Sequence, residues 1–241
     1  MAGRTITYGG VDLTRFGTVE GVDRDALGTV RVQTADVPGM DGTRFLGATI
    51  APLAISARIR VVAADKAAMR GVVRQLAGAL RSDGPQALTI SDEPSVEWMA
   101  VTQSCKVTDE LLGTCLVAVT WTCPDPAARS TAESTAAGGE ACQVGGTYQT
   151  RPTITVTGAA GDSDGLLTVT DDGGRVLTVA LGSTTGATVV LDCGSRLATV
   201  DGAIAPISLD SDWWAWEPGA HSAAVTAGSG TASVSWHDRW C

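Results

Sequence analysis

Apolar and polar positions alternate along most of this chain, and a helical period interrupts them once. Leu53, Ile55, Ala57, Ile59 and Val61 alternate with Ala54, Ser56, Arg58, Arg60 and Val62. An extended segment with that pattern has an apolar side and an arginine-bearing side. Shorter runs of the same kind predict strands at 5–8, 29–33, 87–91, 97–102 and 116–122. Between 65 and 85 the period changes. Met69, Val72, Val73, Leu76 and Leu80 recur at helical spacing. Asp65 can cap that helix and Gly84-Pro85 stops it. Arg70, Arg74 and Arg81 share another face of it, readable as a solvated face or as a basic stripe that meets an acidic neighbour.

Past Cys123-Pro124-Asp125-Pro126 the sheet must break, because proline cannot donate to a ladder. The next stretch, 127–139, is built from Ala, Ser, Thr and Gly, with almost no large apolar residue. That composition reads as a linker. Strand runs resume at 153–157, 166–170, 176–181, 188–192 and 197–200, with turn signals such as Asp171-Asp172-Gly173-Gly174 and Asp201-Gly202 between them. Regular short strands with such punctuation predict a β-sandwich. No helical pattern appears after residue 85. The expected organisation is therefore a first domain over 1–127, a linker over 128–144 and a second domain over 145–241.

The C-terminus belongs to a core. Five of the seven tryptophans lie from Trp213 onward. The last long run sets Ala232, Val234 and Trp236 against Ser233, Ser235 and His237. Trp213, Trp214 and Trp216 precede a Pro-Gly turn. They are either a core plug and contact surface or an aromatic platform for sugar rings.

Composition narrows the class. Apolar residues make up 44% of 241 positions, charged residues only 18%, and there are 29 glycines. That suits β-structure rich in turns and excludes a coiled coil or a disordered chain. No apolar run is long enough for a membrane helix, and the first residues lack the apolar stretch of a secretion signal. The net charge of −9 is uneven. Residues 1–128 hold 12 basic and 14 acidic groups, and residues 129–241 hold 5 and 12. The second half would repel phosphate backbones, which argues against nucleic-acid binding there.

No enzyme signature emerges. Gly161-Asp162-Ser163-Asp164-Gly165 has the letters of a hydrolase elbow, but a strand pattern follows it where the elbow needs a helix. The six cysteines form no C-x-x-C, and His221 and His237 are not spaced with them as zinc ligands. Cys123 and Cys193 sit in apolar strand patterns and read as small buried hydrophobes. No catalytic, cofactor or metal residue is assigned.

The chain resembles, over nearly its full length, the distal tail protein family of long-tailed bacteriophages. An ordered series of motifs carries the resemblance: Phe16-Gly17, then Pro38-Gly39-Met40-Asp41-Gly42, the amphipathic helix, 88–94, Trp121-Thr122-Cys123-Pro124-Asp125-Pro126, Gly145-Gly146-Thr147, 151–158, and Trp214 to Gly219 with the terminal Arg239-Trp240. One departure is His221, where the family commonly has asparagine. The resemblance implies a mainly β fold: an N-terminal β-sandwich-like ring domain with one α-helix, and a C-terminal galectin-like β-sandwich. It implies a non-enzymatic homo-hexamer at the virion tail tip, made in the host bacterial cytoplasm. The ring would join the tail tube protein to the tail-associated fibre or lysin protein, with a receptor-binding protein as a further partner. Its channel would pass the tape measure protein and DNA. No membrane and no sequence-specific nucleic acid is expected. On this reading Pro38, Gly39, Asp41, Gly42, Arg70, Arg74 and Arg81 are the candidate subunit contacts, and 34–50 is an arm towards the adjacent subunit. The competing expectation is a carbohydrate-binding module for a cell-wall glycan.

Overall fold

The computed structural model describes residues 4–241. The chain divides into two compact units, the first reaching to Arg129 and the second running from Ser130 to Trp240. Both are β-rich, and one α-helix stands among the described residues.

The strands of the first unit are β1 (Ile6–Tyr8), β2 (Val11–Asp12), β3 (Thr18–Arg24), β4 (Val30–Asp36), β5 (Thr43–Ile50), β6 (Leu53–Val62), β7 (Gln86–Ile90), β8 (Val96–Leu111) and β9 (Thr114–Cys123). An antiparallel path runs β2-β1-β7-β8-β9-β6-β3. β6 and β9 pair along their whole length, from Leu53 opposite Cys123 to Val62 opposite Thr114. Their inward residues, Ile55, Ile59, Val61, Val117, Val119 and Trp121, are fully buried. β8 serves two neighbours on this path. Glu97–Ala100 pairs with β7, and the strand from Val101 onward pairs with β9. That turns the path around a common core.

The helix α1 (Lys66–Leu80) closes this core with Met69, Leu76 and Leu80. Asp65 caps it, its side chain accepting the Ala68 N–H at 2.8 Å. A 3-10 turn, Leu13–Phe16, adds Leu13 and Phe16. β8 runs well past the expected limit of 102. Irregularities near Gln103 and Asp109 break its alternation, so the period of two is lost to a reader of the sequence.

The segment expected to be a linker is stranded instead. It contains β10 (Ala128–Ser130), β11 (Ser134–Ala137) and β12 (Cys142–Val144). β11 pairs with the last long strand, Ser134 opposite Trp236 and Ala137 opposite Ser233. An edge strand needs only backbone donors and acceptors on its paired side, so small side chains do not prevent it.

The second unit continues with β13 (Thr153–Ala160), β14 (Leu166–Asp171), β15 (Val176–Ala180), β16 (Thr185–Asp192), β17 (Leu197–Val200), β18 (Ala203–Ile204), β19 (Gly219–His221), β20 (Ala223–Ala227), β21 (Ser229–Trp236) and β22 (Arg239–Trp240). A six-stranded sheet, β11-β21-β13-β16-β17-β18, and a three-stranded sheet, β15-β14-β20, share one core. Ile154, Val156, Val189, Leu191 and Val234 enter it from the first, and Leu167, Val169, Leu177 and Val179 from the second. This is the sandwich expected from the alternating runs.

Candidate functional site

β4 and β5 stand apart from the sheet whose strands β3 and β6 they connect. They form a two-stranded sheet of their own. Its root is closed by the Ala51 N–H donating to the Thr29 carbonyl at 2.8 Å. Its tip is a turn in which the Met40 N–H donates to the Val37 carbonyl at 3.1 Å. Pro38 and Gly39 occupy the two central positions, and Gly39 has φ +81°. This is the backbone a type II turn requires, and it explains a Pro-Gly pair at this point.

The register makes the hairpin amphipathic. Val30 lies opposite Ile50, Val32 opposite Ala48, and Thr34 opposite Phe45. Arg31, Gln33 and Arg44 lie on the other side. Val32 is 58% exposed, Phe45 63% and Leu46, at the bulge, 61%. An isolated hairpin is marginal in water, and an uncovered apolar face of this kind marks a contact surface. Pro38, Gly39, Asp41 and Gly42 are all exposed at the tip.

The three helix arginines are separated by what they touch. Arg70 bonds to Glu110, which also lies 3.3 Å from Lys66. Desolvation opposes ionisation of Glu110, but hydrogen bonds from Lys66 and Arg70 outweigh it and hold the carboxyl below its usual range. Arg74 is exposed, and Arg81 is the helix C-cap. Among the described residues no ion pair joins the arm tip to these arginines.

The tryptophan segment lies inside the second unit. Trp214 and Trp216 are 1% and 0% exposed, and Trp213 packs against the core from its margin. Two devices hold the segment. Asp171, buried, binds Arg175, whose guanidinium reaches the Ala215 carbonyl at 3.4 Å and lies 5.9 Å from the Trp214 ring. His221 stacks on Trp216 at 5.3 Å and 4°. Its Nε2 is 2.8 Å from the Glu217 carbonyl and its Nδ1 3.2 Å from Asp172. His221 thus makes a side-chain bond back to the residue ahead of the Pro218-Gly219 pair. Sequence reading missed this cluster. The carboxylate comes from a distant turn, and no spacing signals it.

Cys142 is the direct strand partner of His221. Cysteine, histidine and aspartate therefore lie together, but not as a nucleophile set. His221 Nε2 faces the Glu217 carbonyl. The Cys142 thiol points at the Glu140 carbonyl, 3.8 Å away. Burial, then the charges of Asp172 and Glu140, push this thiol up, away from the thiolate. The Gly161–Gly165 loop leads into β14 and not into a helix. Asp162 folds it, accepting the Asp164 and Leu166 N–H groups at 2.9 and 3.0 Å. The elbow geometry is absent. Among the described residues no group of His, Cys, Asp and Glu could hold a metal ion.

Two family models match the chain. The siphovirus-type tail component, C-terminal domain, matches residues 145–240, and the phage tail protein RIFT-related domain matches residues 7–110. Among solved structures, the chain is similar to the Dit protein of phage SPP1, described as a paradigm of the hub adsorption apparatus in phages infecting Gram-positive bacteria. The TM-score is 0.83 at 19% identity, over 99% of both chains. It is also similar to a chain of the phage P2 baseplate in its activated conformation with Ca, with a TM-score of 0.56 at 10% identity over 99% of this chain and 98% of that one. The corresponding Sr structure gives 0.56 at 10% over 98% and 97%. No curated protein matches the chain.

Proposed function

Because the chain belongs to the distal tail protein family of long-tailed bacteriophages, as a structural component of the tail baseplate, we propose that it acts as a ring-forming hub at the tail tip. Six copies close into a collar through their first units. The collar joins the tail tube protein to the tail-associated fibre or lysin protein, and its channel passes the tape measure protein and then DNA. The second unit offers an outer surface for attachment, including to a receptor-binding protein. The chain is made in the host cytoplasm and works mechanically, without catalysis.

The observation that carries this reading is the β4–β5 arm. Its apolar face is uncovered and its tip is held in shape by Pro38 and Gly39. A closed cyclic assembly needs two unlike patches on each copy, and an arm that cannot bury its own face supplies one of them. Native mass spectrometry and negative-stain microscopy of the purified chain test it. Six-copy rings are expected, and a strict monomer at high concentration would overturn the proposal. The carbohydrate-binding alternative draws no support from Trp214 and Trp216, whose faces are not accessible to a sugar.

A further inference from the structure

We infer that residues 205–212 are a detachable flap over the outer edge of β15, and that this edge, once uncovered, takes an extended peptide segment of a partner protein with apolar residues two positions apart. The site lies within the second unit and is independent of the ring.

The three-stranded sheet ends at β15. Beyond it the flap meets the backbone groups of Val176 and Thr178. The Ser208 N–H donates to the Thr178 carbonyl and the Asp212 N–H to the Val176 carbonyl, both at 2.9 Å. The Thr178 N–H donates not to a carbonyl but to the Ser211 hydroxyl, at 3.0 Å. Within the flap, Ile207 alone pairs in register, opposite Val179. A turn follows, closed by the Ser211 N–H donating to the Ser208 carbonyl at 3.1 Å, and it lifts Leu209 and Asp210 into solvent. The flap imitates a strand at one residue and then departs from it.

The flap is held thinly. Ala205 and Ile207 are half-buried against the second core. No residue from Ala205 to Trp213 is buried, whereas Ala198 before the flap and Trp214 after it are. Leu209 is fully exposed. Segments with few buried apolar contacts open locally at a small fraction of the global unfolding free energy. Trp214 and Trp216 are anchored in the core beyond the flap, so the flap can lift while the sandwich stays closed.

The flap's own contacts define what can replace it. A row of backbone donors and acceptors at a sheet edge is matched by another extended backbone. A regular strand would give the Thr178 N–H a carbonyl. It would also keep its side chains on the sheet where the flap sends Leu209 into water. Side chains two apart share a face. The incoming segment therefore needs apolar residues at the places of Ala205 and Ile207, which pack on the core margin. An imperfect cover protects the edge from indiscriminate pairing and yields to a better-matched strand.

Backbone amide exchange on the full chain tests the flap. The amides of Thr178, Ser208 and Asp212 should exchange about a hundredfold faster than those of β13 and β16. Equal protection would make the flap a permanent part of the fold and overturn the inference. A peptide with the sequence of residues 205–212 tests the edge. It is titrated into the chain carrying Ile207→Ser and Ser211→Ala, which raise the fraction of molecules with the edge uncovered. At millimolar peptide the Thr178 amide should exchange about tenfold more slowly. The same peptide with Ser208→Pro, which lacks the N–H that bonds the Thr178 carbonyl, should have no effect. If the double variant does not fold, Ser211→Ala alone takes its place. A folded variant whose Thr178 exchange ignores the peptide would show that the edge takes no strand, and the inference falls while the hub reading stands.

Discussion

At the scale of single residues, the second unit depends on Trp216. It is fully buried and stacked on His221, whose other bonds reach Asp172 and Glu217. Trp216→Ala should cost about 3–5 kcal/mol, enough to unfold the second unit in a urea melt read by fluorescence. A soluble, fully folded variant that only lost glycan binding would instead favour the carbohydrate reading. The buried thiols make a second prediction. Burial pushes Cys123 and Cys193 up to about 12. The unfolded thiols ionise near about 8.5. The folded chain therefore holds these protons more tightly, and the stabilisation is complete below that value. As pH rises from there towards 12, each thiol removes about 1.4 kcal/mol of stability per pH unit. Urea midpoints from pH 7 to 10 should fall accordingly, less steeply in Cys123→Ala and Cys193→Ala. Neither thiol should react with iodoacetamide in the native state at pH 8.

At the scale of elements, the proposed ring contact assigns assembly to the arm and leaves folding to the sheets. Its strands hydrogen-bond only to each other, and the apolar side chains on it are exposed. Exposed positions away from a core usually change stability by no more than about 0.5 kcal/mol. Val32→Ser with Phe45→Ser should therefore leave the melting temperature nearly unchanged while reducing ring formation by an order of magnitude or more. A collapse of the melting temperature would mean that the arm is part of the core of its own unit. Some elements were legible in sequence. The alternation 53–62 is β6, and the helix starts at its Asp65 cap, but it ends at Leu80, ahead of the expected Gly84-Pro85 stop. The far half of β8 was not legible, because its irregularities shift register. Nor was β11, whose small residues lack the apolar signal that period reading needs.

At the scale of the whole molecule, each unit has its own core. The second core is sealed by Trp236 and by the C-terminal strap, where Thr150 Oγ1 donates to the His237 carbonyl at 2.7 Å. We expect residues 130–240 expressed alone to melt cooperatively with the same midpoint as the second transition of the full chain. Truncation before Trp236 should abolish that transition. A fragment that fails to fold would mean that the second unit draws its stability from the first.

Sequence alone determined the periods: which positions face inward, where the helix starts, and that the last long strand, with Trp236, belongs to a core. Those are local properties of chain geometry and water. Tertiary structure decided which local elements find partners. It left the β4–β5 face open, sent β11 to a sheet edge, and set Asp172 beside His221 across 49 residues. Those outcomes depend on long-range pairing, and loop closure between distant segments carries no periodic trace along the chain.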